Sequence, residues 1–240
     1  MDKEENKFIK VSNIMISNTN NLIDYNGQKY LRIPIKTHII SEKDKINEVI
    51  DKYTKPICRA NDIITISESV VAMTQGRAIP ISKIKPRLLA RILWRFVRKV
   101  PYGIGLRNPY SMECAIRECG TLRILIAAAV SAIAKLFGRR GDFYKIAGKQ
   151  AAMIDAPGTT GLKQYIDCVI MGPKEPDRVV EQLAKQTNLV VAIVDVNDIS
   201  GCWVVSVSDK KYTKLIETAL DDNPAGQGDA CTPIIIIRPM

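Results

Sequence analysis

Acidic side chains gather at a few turns of this chain, and their spacing suits the oxygen-only chemistry of a hard divalent cation. In Val190–Gly201, VVAIVDVNDISG, a continuous apolar run of the kind buried in strands breaks into Asp195, Asn197 and Asp198, then a Ser200-Gly201 turn. Carboxylate and carbonyl oxygens packed this closely repel one another unless a cation or a helix N-terminus neutralises them. Open α/β sheets bind ligands at the carboxyl ends of strands, so the cluster is expected to form a Mg²⁺ or Mn²⁺ site. The same residues also suit a solvated turn in which Asp198 caps a helix. Asp155 repeats the arrangement: the small apolar run Ala151–Ile154 ends in an acid and a Pro157-Gly158 loop that offers backbone N–H groups. Ile63–Ile66 ends in Ser67-Glu68-Ser69, so two strand ends could face one site. Gln227 and Asp229 lie in a Gly-rich loop before a last apolar run, Ile234–Ile237.

Other chemistries have little to work with. His38 is the single histidine, which leaves no partner set for a zinc site or for a Ser/His or Cys/His pair. The six cysteines are scattered without a CxxC pair, and Met1 leads into charge rather than an apolar signal region; reduced thiols in the cytoplasm are expected. A net charge of +10 suggests attraction to polyanions. With 6% aromatics and no alternation of rings with Arg or Lys, nucleic acid is not the expected partner.

These residues need elements to hold them. A tail over 1–25 with one edge strand around Phe8–Ile16 is expected to precede a domain over 26–240. Strands are expected at Tyr30–Ile35, Ile63–Ile66 and Trp203–Val207, with helices at Lys43–Tyr53, capped by Ser41 and Asp44, and at Tyr212–Leu220. Tyr165–Gly172, Asp177–Gln186 and Val190–Val194 have βαβ spacing. Between about 83 and 145 lies a basic and apolar helical insertion. Its first helix, over 83–100, carries Lys83, Lys85, Arg87, Arg91, Arg95, Arg98 and Lys99, and reads as a packed or dimer-interface helix in preference to one lying on a membrane. Leu122–Ala134 reads as a buried core helix, too short to span a bilayer.

Several stretches, in this order, resemble the coenzyme F420-0:γ-glutamyl ligase family: IPIK at Ile33–Lys36, IITISES with the Gln75–Arg77 turn, and the Asp155 loop. GPKEPDRVVEQL at Gly172–Leu183, the Asp195–Gly201 strand end and GQGDACTPIIIIR at Gly226–Arg238 follow. The resemblance implies an α/β (α+β) fold of mixed sheets with flanking helices and an intertwined dimer. It also implies a ligase that uses GTP (or ATP) with Mg²⁺ or Mn²⁺ to turn the carboxylate of a small acceptor into an acyl phosphate, which the amine of L-glutamate attacks. Carried over by position, Ile33, Pro34, Ile35, Lys36, Glu68 and Ser69 would lie by the nucleotide, as would Gly226, Gln227, Gly228, Asp229 and Thr232 of the last loop. Asp155, Asp195 or Asp198, and Gln227 would bind metal. The chain departs from the family pattern at Met73, where a lysine is expected, at Gly158 in place of an asparagine, and at DISG in place of DxFGR. A non-catalytic ligand-binding or membrane-peripheral protein on the same fold is the alternative, favoured by Met73.

Overall fold

Three of the most apolar runs, Ile63–Ile66, Val190–Val194 and Ile234–Ile237, become adjacent central strands of an eight-stranded sheet. The computed structural model describes residues 8–11, 14–17, 21–97, 105–138, 142–197, 201–226 and 230–240. In chain order these begin with β1 (Phe8–Val11), β2 (Ile14–Ser17), β3 (Leu22–Tyr25), β4 (Gln28–Lys36), α1 (Ile46–Thr54), β5 (Ile63–Ser67) and α2 (Glu68–Thr74). Next come β6 (Ala78–Pro80), α3 (Leu88–Leu93), α4 (Pro109–Cys119), α5 (Thr121–Leu136), α6 (Asp142–Ala147), α7 (Lys149–Ala152) and β7 (Cys168–Ile170). The chain closes with α8 (Pro176–Thr187), β8 (Val190–Asn197), β9 (Gly201–Val207), α9 (Thr213–Leu220) and β10 (Ile234–Pro239). Met1–Gln75 with Lys174–Met240 form one unit, and Gly76–Pro173 a second.

The first unit holds the large sheet, in the order β1-β2-β4-β10-β5-β8-β9, with β3 also on β4. Four consecutive isoleucines of β10 are buried between β4 and β5, as expected for a strand covered on both faces. Leu215, Ile216, Ala219 and Leu220 of α9 cover one side with Ala192 and Val194. Pro176 fits the first turn of α8, where its missing N–H costs nothing, and Asn188 closes that helix at φ 56°. At the far end of β10, Arg238 grips buried Asp62 through Nε at 2.9 Å and Nη2 at 2.7 Å.

The second unit is mainly helical, with β6 and β7 as a two-stranded antiparallel sheet. Asn108 caps α4 by accepting from the Tyr110 N–H at 2.8 Å. Gly120, at φ 88°, ends α4 and starts α5; no atom lies within 4 Å of where a Cβ would stand, so backbone conformation rather than space favours glycine there. Arg77 fastens this unit internally, donating to the Gly172 carbonyl at 2.6 Å and to Glu118 at 2.7 Å.

The mixed sheet with flanking helices is the expected α+β fold, but several local expectations fail. Two strands, β1 and β2, stand where one edge strand was expected. The helix over 83–100 shrinks to α3 and a 3₁₀ turn at Trp94–Phe96, because Pro86 interrupts its start; Arg98 and Lys99 lie outside the described residues. The βαβ reading fails because β7 pairs with β6 and β8 with β5, in different sheets. Asp44 does not enter a capping box: α1 starts after Lys45, and Asp44 instead accepts from the Ser41 N–H at 2.8 Å. Finally, α5 is not a buried core helix: it buries Ile124 and Ala127 but leaves Leu122 72% and Ile133 58% exposed.

Candidate active site at the sheet edge

Strand direction in the large sheet brings chain-distant polar residues to one edge. β4, β5 and β8 run one way and β10 runs against β4 and β5, so three strand ends and the start of β10 share that edge. Register shows how near they come: Ile234 pairs with both Ile35 and Ile66, and Ser67 pairs with Val194. Lys36, Glu68, Asp195 and Thr232 each follow or precede these rungs by one or two residues. Backbone bonds fix the loop entering β10 against the edge. The Thr37 N–H donates to the Cys231 carbonyl at 2.8 Å and the Ser67 N–H to the Pro233 carbonyl at 2.8 Å.

Ile33, Pro34 and Ile35 are buried in the sheet while Lys36 is exposed, so within IPIK the lysine presents its side chain to solvent. Glu68, buried, opens α2, where a carboxylate complements the helix dipole; Ser69 is partly exposed beside it. Met73, at the position where the family pattern has a lysine, is buried in the same helix and serves packing. β8 does not break at Asp195 as expected but continues to Asn197. Alternation then puts Asp195 and Asn197 on one face, opposite Val194 and Val196. Asp195 is half-buried, and that burial pushes its carboxyl above the ordinary range.

Across the hairpin, Gly201 has φ 75°, a backbone conformation that favours glycine; a Cβ there would also meet the Asp221 carboxylate, which is exposed and can turn away. Burial first, then the carboxylates of Glu217, Asp195 and Asp221, push the Cys202 thiol up to about 12. Glu217 and Asp221 were missed from sequence; their i,i+4 spacing, with Glu217 on α9 and Asp221 just past its end, was the available signal. Gly226 and Thr232 hold the base of the last loop. Gly226 accepts from Asn223 Nδ2 at 3.2 Å, and the Thr232 hydroxyl donates to the Ala225 carbonyl. Asp198, Gln227, Gly228 and Asp229 lie outside the described residues. Among the described residues, no three His, Cys, Asp or Glu side chains stand close enough together to hold a metal ion. Asp195 and Asn197 bring oxygen donors, which match Mg²⁺ or Mn²⁺ better than softer metals.

Asp155, in the second unit, forms an isolated antiparallel bridge with Ile170, its N–H donating at 2.8 Å, and the residue is exposed. The loop beyond it offers fewer N–H groups than expected, since Gly158 donates to the Ile166 carbonyl at 2.7 Å. The same unit has an open groove of about 540 Å³ lined by Arg87, Glu113, Ile116, Arg117, Gly120 and Thr121. Glu113 there is 0% exposed and accepts from Arg87 Nε at 2.9 Å and Arg117 Nε at 2.8 Å, so it is committed to those partners.

His38 is an ordinary polar residue after β4, with its ring nitrogens against the Tyr53 hydroxyl at 2.7 Å and Asp44 Oδ1 at 3.0 Å. The His38 hydrogen bond is the main force holding the Asp44 carboxyl below its usual range. A depressed folded value stabilises above the ordinary aspartate value and loses that contribution as pH falls through the folded one. Because the pair is partly exposed and water screens it, Asp44→Asn is expected to cost no more than about 1 kcal/mol at neutral pH. Urea melts of both proteins at neutral and acid pH check this, because the gap must close on the acid side.

The family model for F420-0:gamma-glutamyl ligase matches residues 34–204, a span that contains Lys36, Glu68, Asp155 and Asp195. No curated protein matches the chain.

Proposed function

Because the chain belongs to the F420-0:γ-glutamyl ligase family and so is a ligase forming C–N bonds, we propose that the β4-β10-β5-β8 edge binds a nucleoside triphosphate, GTP or ATP, with Mg²⁺ or Mn²⁺. The observation that carries this reading is the shared edge: Lys36, Glu68, Asp195 and the loop before β10 are set by strand order and register within one sheet. Lys36 supplies positive charge for phosphate oxygens, and Asp195 with Asn197 holds the divalent ion. When bound, that ion offsets phosphate charge and orients the γ-phosphoryl group.

The acceptor carboxylate attacks the γ-phosphorus and releases nucleoside diphosphate. The amine of L-glutamate, or of a similar amino acid, then attacks the acyl carbon, releasing phosphate and a proton. No side-chain nucleophile takes part, in keeping with a chain that has one histidine. The metal role that the resemblance gives Asp155 stands apart and has its own test, loss of the metal-dependent thermal shift in Asp155→Ala.

A thermal-shift panel of GTP, ATP and GDP, each with Mg²⁺ or Mn²⁺, tests the reading as a whole. A ligand that binds the native state at about 100 times its Kd stabilises by about 2.7 kcal/mol. For a chain of this size that is a rise in Tm of roughly 5–10 °C. A melting point unmoved by every nucleotide and metal pair overturns the proposal.

A further inference from the structure

The second unit exposes a continuous apolar face that its own core does not need. Along α5, Leu122, Ile126, Val130, Ile133 and Phe137 recur at helical spacing on the outside, with Leu122 72% and Phe137 77% exposed. Leu88, Ile92 and Phe96 form a second row along α3 and the turn that follows, with Leu88 73% and Phe96 70% exposed. Lys135 Nζ donates to the Phe96 carbonyl at 3.2 Å, which joins the ends of the two rows. The opposite side of the same segments, Leu89, Leu93, Trp94 and Val97, packs against the core cluster to which Ile124 and Ala127 belong. Outward placement is thus additional to a filled core.

Charge says what covers this face. Residues 76–173 contain 17 Lys and Arg and 5 Asp and Glu, a difference of +12, against +10 for the whole chain. Arg87 and Arg117 share Glu113. Arg91, Arg95 and Arg123 donate to the backbone carbonyls of Pro86, Arg91 and Ile146, contacts that leave their charge uncancelled. A second copy would bring two such positive units together. A nucleic acid would set phosphates against leucines and phenylalanines that gain nothing from them. An anionic bilayer meets both demands, with apolar side chains in the headgroup–acyl boundary and Lys and Arg reaching back to the phosphates. No helix of the described residues is long and apolar enough to cross a membrane, so the contact is peripheral.

We propose that the face formed by α3, its following turn and α5 docks the protein on an anionic lipid surface. The test uses the full chain in flotation with vesicles of phosphatidylcholine alone and of phosphatidylcholine mixed with phosphatidylglycerol. Binding to the anionic vesicles should exceed that to the neutral ones by about tenfold or more and fall with salt. Phe96→Gln with Ile126→Gln and Ile133→Gln, all surface changes, should lower it by about tenfold, as should Arg91→Glu with Arg95→Glu. A Leu122→Trp reporter should shift its emission to the blue on anionic vesicles. Absence of anionic-lipid binding, full binding by the apolar triple variant, or an unmoved reporter overturns the proposal. So does light scattering that shows a dimer which the apolar variant dissolves.

Discussion

Asp195→Ala is expected to abolish the metal-dependent part of nucleotide binding and to lower ligation by at least about 100-fold, while the melting point holds or rises slightly. The two halves of this expectation have separate causes. Burial holds the Asp195 carboxyl above its ordinary range, so the folded state disfavours its charge and gains little from it. Removing it takes away that penalty, and the neighbouring rungs, Ser67 with Val194 and Ile66 with Ile193, keep the strand in place through their backbone bonds. Binding depends on the charge itself, because a hard cation is held by oxygen donors and alanine has none to give. Calorimetry of Mg²⁺–GTP and Mg²⁺–ATP against both proteins reads the first half and a melting curve the second. Unchanged heats in the variant would show that the ion binds elsewhere. A collapsed melting point would show that Asp195 is a structural residue, and the edge would then lose its proposed role. Asp195→Asn keeps one oxygen and should fall between the two.

The strands were legible in sequence because long β-branched runs such as Ile234–Ile237 can satisfy their side chains only in a buried sheet. Their order was not. β10 enters between β4 and β5 from the far end of the chain, and that insertion is what brings Lys36 beside the loop preceding Ile234. Periodicity reports an element's length and its covered faces but says nothing about its neighbour, which is why β7 and β8 read as partners and lie in different sheets. Composition misled at α5 for a related reason: a leucine- and alanine-rich helix was equated with a buried one, although the second unit offers a core to Ile124 and Ala127 alone among its best-packed positions. Of the acids expected at strand ends, Glu68 follows β5 directly, whereas Asp195 lies inside β8 and Asp155 in an isolated bridge. Glu217 and Asp221 escaped because their nearness to Cys202 depends on how α9 packs on β9, a contact that no local pattern records.

Glu113→Gln is expected to destabilise the protein by about 2–4 kcal/mol at neutral pH. Glu113 is fully buried in α4, yet the backbone N–H of Arg87 reaches it at 3.1 Å in addition to the two guanidinium donors. Burial raises its carboxyl, and those three donors together outweigh burial, so the folded group titrates below the ordinary glutamate value of 4.5. The sign follows: the stabilisation is complete above that value and is lost as pH falls through the depressed one. Glutamine keeps the shape and one acceptor but leaves two arginines sharing a neutral partner, and its amide hydrogens have to point at donors. The arginines are half-exposed, and water there recovers part of the loss, which sets the lower end of the range. Urea melts of wild type and variant should therefore differ by the full amount at neutral pH and converge in acid. Arg117→Ala made in the Glu113→Gln background should cost far less than in the wild type, since its partner's charge is already gone. Equal midpoints at neutral pH, or additive costs in that cycle, would show that this buried carboxylate does not hold α4 to the segment entering α3.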